Sequence, residues 1–318
     1  CIHYFFFTLL LILDLLQNYN PKSNNESSRF YSIIINKGDT LRVVSNKLYD
    51  SGLIKNKEFF KFFAKLYNFE KSIKSGTYNI PNSLSIKEIL NKLNLGKVVQ
   101  NRITIPEGMT NAMFFKILAN NELLSGDLKF SDFPKEGYLA PDTYFYEKGE
   151  KRIAFLNRIQ KVQSKRINKI WNSRKKNDTL NSSHELVILA SIIEKESGNY
   201  DELNLISSVL HNRLRKKMRL QADPTVIYGI MGGEKLSRSL TKSDLRIKSI
   251  YNTYIINGLP PNPICNPGEA ALNAAANPAI SKFYYYVSNG KGGHFFSTNL
   301  EEHNKNVKLY KSQKDKSN

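Results

Sequence analysis

Glu194, Lys195 and Glu196 close an apolar run, HELVILASIIEKESG, that extends from His184 to Gly198. A carboxyl at the end of such a helix meets the negative end of the helix dipole and apolar surroundings, and both oppose its ionisation. A carboxyl pKa raised in this way suits a general acid working near neutral pH. Glu196 has Leu189, Ile192 and Ile193 on its own helical face, at spacings of seven, four and three. Glu194 falls above Ala190 and Val187 on a different side, as a structural or supporting partner.

Other reagents fit less well. His294 and His303 could be joined with Glu196 as a metal site, but the pair has no ligand-type spacing, and satisfied structural histidines are the better reading. No GxSxG motif is present, and Ser197 has no histidine that the sequence positions beside it. Gly290, Gly292 and Gly293 lie between two strands, which argues against a phosphate loop. With Cys1 and Cys265 the only cysteines, neither a disulfide framework nor a thiolate metal site is expected. No metal and no cofactor is called for. Glycoside hydrolysis usually takes two carboxylates, and the candidates here are Glu194, Glu196 and Asp223. One acid suffices only where the substrate supplies its own nucleophile.

The acid must be positioned by the helix that carries it and by what surrounds that helix. Ser182 and Glu185 have the spacing of a capping box, Leu186 to Ile193 is apolar on nearly every face, and Gly198 supplies a stop. Before it, Lys151 to Lys176 reads as a long basic helix that bridges the two halves of the chain with its basic side solvated. After it, Leu203, Ile206, Val209, Leu210 and Leu214 mark a helix that ends in RLRKKMR. Asp223 before Pro224 suits an N-cap for a helix beginning at Thr225, which leaves Gln221 on an extended segment facing a cleft. Ser249 to Gly268 is too rich in proline and glycine to be regular and reads as a long ordered loop. A helix over Glu269 to Ala276, a hairpin of Phe283–Val287 with His294–Thr298, and a last helix capped by Asn299 with Glu302 complete the chain.

Toward the N-terminus the pattern predicts a strand over Ser32–Asn36, helices over Leu41–Ser51 and Glu58–Leu66, a strand over Ser75–Pro81 and a helix over Ile86–Leu93. Thr104 to Asn120 reads as strand, glycine turn and helix, and EGYLAPDTYFY at Glu136–Tyr146 as either a packed β-turn or an aromatic wall for a sugar. At 318 residues the chain holds two or three domains. The 47 Lys and Arg against 28 Asp and Glu give a formal charge of +19, but the bases are scattered among Asn, Ile and Tyr, and no nucleic-acid-binding motif accompanies them. Nucleic acid is therefore not expected as a partner. Ile2 to Leu16 is an apolar run short of a full bilayer span, followed by a polar tether, and reads as the remnant of a membrane anchor.

Four long phrases carry a family likeness: LASIIEKES at Leu189–Ser197, NRLRKKMRLQADPTVIYG at Asn212–Gly229, YNTYIINGLPPNPICNPG at Tyr251–Gly268 and GKGGHFFSTNLEEHN at Gly290–Asn304. In that order they resemble the endolytic murein transglycosylases, the MltG or YceG-like family. GDT and GTYNIP near the N-terminus resemble a LysM-like module. The resemblance implies an α+β fold, with a small LysM-like N-terminal subdomain and a larger mixed α/β catalytic domain built on a buried glutamate-bearing helix. It divides the chain into an anchor and tether (1–30), a LysM-like subdomain (31–100), a connecting region with the basic helix (101–180) and a catalytic domain (181–318).

The activity implied is cleavage of nascent peptidoglycan strands between N-acetylmuramic acid and N-acetylglucosamine, leaving 1,6-anhydro ends and ending strand elongation. The family's acid corresponds to Glu196, with Glu194 and Ser197 as supporting residues. Gln221, Asp223, Thr225, Tyr228, Tyr251, Asn252, Tyr254 and His294 are the expected substrate-cleft residues. The partners implied are peptidoglycan strands, the cytoplasmic membrane through the N-terminal segment, and peptidoglycan synthases, with one membrane pass and the catalytic domain outside the cytoplasm. A water-using muramidase and a non-catalytic peptidoglycan-binding scaffold are the alternatives.

Overall fold

The computed structural model describes residues 29–317 apart from 176, 177 and 197; the apolar run at Ile2–Leu16 and Ser197 therefore lie outside the described residues. Among the described residues no helix is long and apolar enough to cross a membrane. The chain is a mixed α and β structure of helices and small two-stranded sheets. It divides into two compact units, one of residues 29–102 with Phe145–Gly149 and one of Ile103–Tyr144 with 150–317.

In the first unit β1 (Phe30–Ile35) pairs antiparallel with β2 (Gly76–Pro81), with Ile33 opposite Tyr78. Helices α1 (Leu41–Asp50) and α2 (Lys57–Leu66) lie between the strands in sequence, and α3 (Ile86–Leu95) follows. Each helix begins where a side chain can accept a backbone donor: Thr40 from Val43, Asn56 from Glu58 and Phe59, and Ser85 from Glu88 in a complete capping box. Alternate residues of the strands, Ile33, Ile35, Tyr78 and Ile80, meet Leu48, Phe60, Phe63, Leu90 and Leu93 in one core. The buried Tyr78 hydroxyl donates to the carbonyls of Lys74 (2.6 Å) and Leu93 (3.2 Å), which removes the cost of burying it.

The second unit contains β3 (Asn101–Ile105, which begins in the first unit), α4 (Asn111–Ala119), β4 (Asp142–Tyr146, which ends in the first unit), α5 (Arg152–Ser173), α6 (Ser183–Glu196), α7 (Leu203–Arg215) and α8 (Asp223–Met231). It continues with α9 (Glu269–Ala276), β5 (Tyr285–Ser288), β6 (His294–Ser297) and α10 (Leu300–Ser317). Helix α6 is central: α5, α7, α8 and α9 all pack against it. Leu186 through Ile193 are buried without exception, and each large aliphatic side chain among them contributes about 1.5–3 kcal/mol by leaving water. Neighbouring α9 is rich in alanine, and Ala271, Ala274, Ala275 and Ala276 are buried, so its backbone can approach closely.

The long proline-rich segment is ordered by polar contacts and has no regular structure. Ser191 in α6 bonds its own helix at the Ile188 carbonyl (2.7 Å) and accepts the Ile264 N–H (3.0 Å), while the buried Cys265 thiol donates to the Ser191 carbonyl (3.3 Å). Asn266 accepts the Leu139 N–H (2.8 Å), and Gln163 of α5 donates to the Pro267 carbonyl (2.9 Å). The capping box expected at Ser182 forms by half. Its hydroxyl accepts the Glu185 N–H (3.2 Å), but the Glu185 carboxylate turns to the N–H of Asn181 (2.7 Å), one residue earlier.

Candidate active site

A cleft of about 500 Å³ opens beside the last turn of α6, and Glu196 lies in its wall. Arg213 from α7, Gln221 and Asp223 from the start of α8, Tyr254 from the long loop, Tyr285 and Tyr286 from β5, and His303 from α10 line the same space. The Tyr286 hydroxyl is hydrogen-bonded to the Glu196 carboxyl, whose Oε1 is buried and has no hydrogen-bond partner among the described residues. Burial pushes Glu196 up to about 7 from the ordinary 4.5, against the Tyr286 bond, and the charge of Asp223 adds to the rise while Arg213 opposes it. A glutamic acid whose pKa is pushed up to about 7 in the wall of a cleft can give a proton to a bound molecule and take one back.

The surrounding groups are fixed by the backbone. The Arg213 guanidinium donates Nε to the Tyr284 carbonyl (2.7 Å) and Nη1 to the Leu220 carbonyl (2.8 Å), and it lies 5.2 Å from the Tyr285 ring centre. Its charge is thereby held among apolar groups near the acid. The Tyr254 hydroxyl donates to Asp223 Oδ1 at 2.6 Å. Burial, with that carboxylate next, pushes the Tyr254 phenol up, so it remains a neutral donor.

Two expectations at the start of α8 are corrected. Asp223 is not the N-cap; it is the first helical residue, after Ala222, and no side chain caps the helix. Its carboxylate is thus free to meet Tyr254. Gln221 is not extended: its φ is +48°, in the left-handed region, held by a bond from its N–H to the Thr253 carbonyl (3.1 Å). That turn is tied down further by Thr253 Oγ1, which accepts the Ala222 N–H (2.9 Å) and lies 2.8 Å from Thr225 Oγ1.

Of the expected cleft residues, Gln221, Asp223 and Tyr254 share the cavity with Glu196. Thr225 is fully buried and serves the turn just described. Asn252 is buried and donates to the carbonyls of Leu245 (3.1 Å) and Ile247 (2.8 Å). Tyr228 and Tyr251 meet edge to face at 4.8 Å, and the Tyr228 hydroxyl donates to Glu136 (3.4 Å). His294 lies 2.7 Å from Glu202 through Nδ1 and meets the Tyr286 ring edge to face at 5.5 Å. His303 stacks on Tyr285 at 5.2 Å. Tyr138 stacks on His184, and the Tyr144 hydroxyl donates to the Ala140 carbonyl (2.8 Å), both within the segment read as a turn or a sugar wall.

Glu194 points elsewhere. Its Oε2 accepts the Gly268 N–H (2.9 Å) at the start of α9, and burial raises its pKa. Glu107 lies close by, tied to the Tyr200 hydroxyl (2.6 Å) and occupying the space that a Cβ at Gly268 would need. Sequence reasoning passed over Arg213, Tyr285 and Tyr286. Arg213 sits in the basic run RLRKKMR, where only its burial separates it from solvated neighbours, and a strand reading of FYYYV does not say which tyrosine meets the acid.

A profile of the YceG-like family matches residues 33–309. An endolytic murein transglycosylase of Bacillus subtilis is 30% identical over 319 residues, covering 91% of this chain and 87% of the relative. One from Streptococcus pneumoniae serotype 2 is 27% identical over 328 residues, and there the match spans 88% of this chain and 58% of the relative. Among solved structures, a yceG-like protein from Listeria monocytogenes is 32% identical, with a TM-score of 0.51 over 88% of this chain and 99% of that one.

Proposed function

The chain belongs to the YceG-like family, and on that premise we propose that it is an endolytic murein transglycosylase that cuts glycan strands between N-acetylmuramic acid and N-acetylglucosamine. One observation carries the assignment of the acid: Glu196, held up to about 7 by burial, stands in the wall of a cleft that can take a sugar. The protonated carboxyl donates to the glycosidic oxygen as the anomeric C–O bond breaks, and the departing sugar leaves as an alcohol. The resulting carboxylate is stabilised by the Tyr286 hydroxyl and the nearby Arg213 charge. It then takes the proton of the muramoyl C6 hydroxyl, whose oxygen bonds to the anomeric carbon and closes the 1,6-anhydro ring. The acid is regenerated and water takes no part.

Gln221, Asp223 and Tyr254 are placed to hold the substrate from the α8 side of the cleft. Ser197 keeps its proposed supporting role outside the described residues. The strand, helix, helix, strand order of the first unit, with its two strands antiparallel, supports reading it as a LysM-like module for peptidoglycan. The run Ile2–Leu16 is proposed as the membrane anchor, which would hold the catalytic unit outside the cytoplasm near the peptidoglycan synthases.

The test is mass spectrometry of products from purified glycan strands, wild type against Glu196→Gln. Anhydromuramoyl ends from the wild type and none from the variant are expected. Reducing ends in place of anhydro ends would instead identify a water-using muramidase, and full complementation of a deletion strain by Glu196→Gln would favour a scaffold.

A further inference from the structure

A second cavity, of about 300 Å³, is lined by immediate neighbours of residues that line the first. Glu196 and Asp223 face the cleft of the acid, whereas Lys195 and Pro224 face the second space. Its wall is largely apolar, with Met113, Ile227, Leu236 and Ile264, and two lysines, Lys195 and Lys235, stand in it. The space is built into the backbone: Gly108 and Gly233 line it at φ +74° and +98°, and the Thr110 hydroxyl donates to the Gly233 carbonyl (2.7 Å).

Its charges are unequally spent. Arg238 is held by both oxygens of Asp244 (2.6 and 3.0 Å), and Glu234 by Lys116 (2.8 Å). Among the described residues Lys195 and Lys235 form no ion pair, and the Lys195 ammonium makes a long bond to the Gly108 carbonyl (3.4 Å). Glu194 lies near Lys195 but uses an oxygen on the Gly268 N–H. Apolar walls beside two available cations do not suit a neutral, hydroxyl-covered glycan. They suit a short peptide with carboxylates and methyl groups.

Murein supplies such a peptide. It hangs from the lactyl ether at C3 of the muramoyl sugar, the same sugar whose anomeric bond the acid would protonate, so it leaves the cleft within about one sugar's width of Glu196. We propose that the second cavity receives this peptide, with Lys195 and Lys235 meeting its carboxylates and the apolar wall its alanine methyl groups. The proposal rests on the transglycosylase reading, and it makes the enzyme selective for strands that still carry their peptides.

The test uses the full chain in detergent with Glu196→Gln, so that nothing is cut, and follows fluorescence anisotropy of two labelled ligands, a disaccharide tetrapeptide and the same disaccharide without peptide. The first is expected to bind more tightly. Adding Lys195→Gln with Lys235→Gln weakens it by about fivefold, the scale of two exposed ion pairs, with little change for the second. Leu236→Asp, which places a carboxylate in the pocket, gives the same selective loss. Equal affinity for both ligands in the parent, or equal losses in the variants, would overturn the assignment. With Glu196 restored, the ratio of cleavage rates for peptide-bearing over peptide-stripped strands falls by the same factor. Failure of the wild type to cut either strand counts against the enzymatic reading, and the binding comparison still decides the pocket.

Discussion

Two glutamates of the second unit are raised by burial to about the same pKa, about 7, yet they sit in opposite circumstances. Glu136 is saturated: it accepts the Asn111 N–H at 2.9 Å, the Asn266 amide at 3.0 Å and the Tyr228 hydroxyl at 3.4 Å. Glu196 has the Tyr286 hydroxyl, a buried oxygen with no partner among the described residues, and a place in the wall of an open cleft. A raised pKa therefore does not by itself mark a reagent. The mark is a raised pKa on a group whose hydrogen-bonding capacity the protein has left unused, since a carboxyl whose oxygens are taken up by protein donors is held to the fold.

That contrast can be broken most directly by exchanging each glutamate for its amide. Glu196→Gln is expected to lower the rate of anhydro-product release by about 10²–10⁴, the range for loss of a general acid, with no fall in Tm. Loss of Tm in that variant would place Glu196 among the structural groups. Next in size is Tyr286→Phe. The bond it removes favours the carboxylate, so Glu196 should rise further and the alkaline limb of the pH–rate profile move to higher pH, with a rate loss of about tenfold. An unmoved limb would show that Tyr286 does not tune the acid.

Glu136→Gln should reverse the pattern. The amide can accept at only one atom where three donors converge, so about 1–3 kcal/mol of stability is lost, while activity per folded molecule stays within about twofold. Denaturant unfolding alongside the assay separates the two. The smallest effect concerns pH and stability. Both glutamates bind a proton more readily folded than unfolded, so their contribution is fully present below about 4.5 and is lost as pH rises through about 7. Wild-type Tm should decline across that window relative to a Glu136→Gln, Glu196→Gln double variant; parallel curves would place the titration on other groups.

Much of the frame was legible in the sequence because it rests on local rules. The apolar run before Glu196 could only be buried, and the glycine-rich turn between the aromatic stretches marked the hairpin. The start of α8 was misplaced by one residue because Asp223 and Pro224 look like cap and first turn, whereas the bonds from Thr253 and Thr225 that set the backbone come from far along the chain or from within the helix. The same limit hid Glu136. Nothing near EGYLAPDTYFY tells that Asn111, Tyr228 and Asn266 converge on its first residue. Arg213 was obscured by its own neighbours, since burial distinguishes one arginine in a basic run only after the helix has been packed.

The end of α6 gives three consecutive residues three destinations: Glu194 the start of α9, Lys195 the second cavity and Glu196 the cleft. Successive side chains on a helix differ by about 100° in bearing, so this assignment depends on counting from the buried run before it. Side chains along that run could be exchanged for others of like volume and leave the bearings intact. A single inserted or deleted residue could not be absorbed, because an insertion would bring the lysine, and a deletion the residue after Glu196, to the acid's position. For this helix, length is a more stringent constraint than composition.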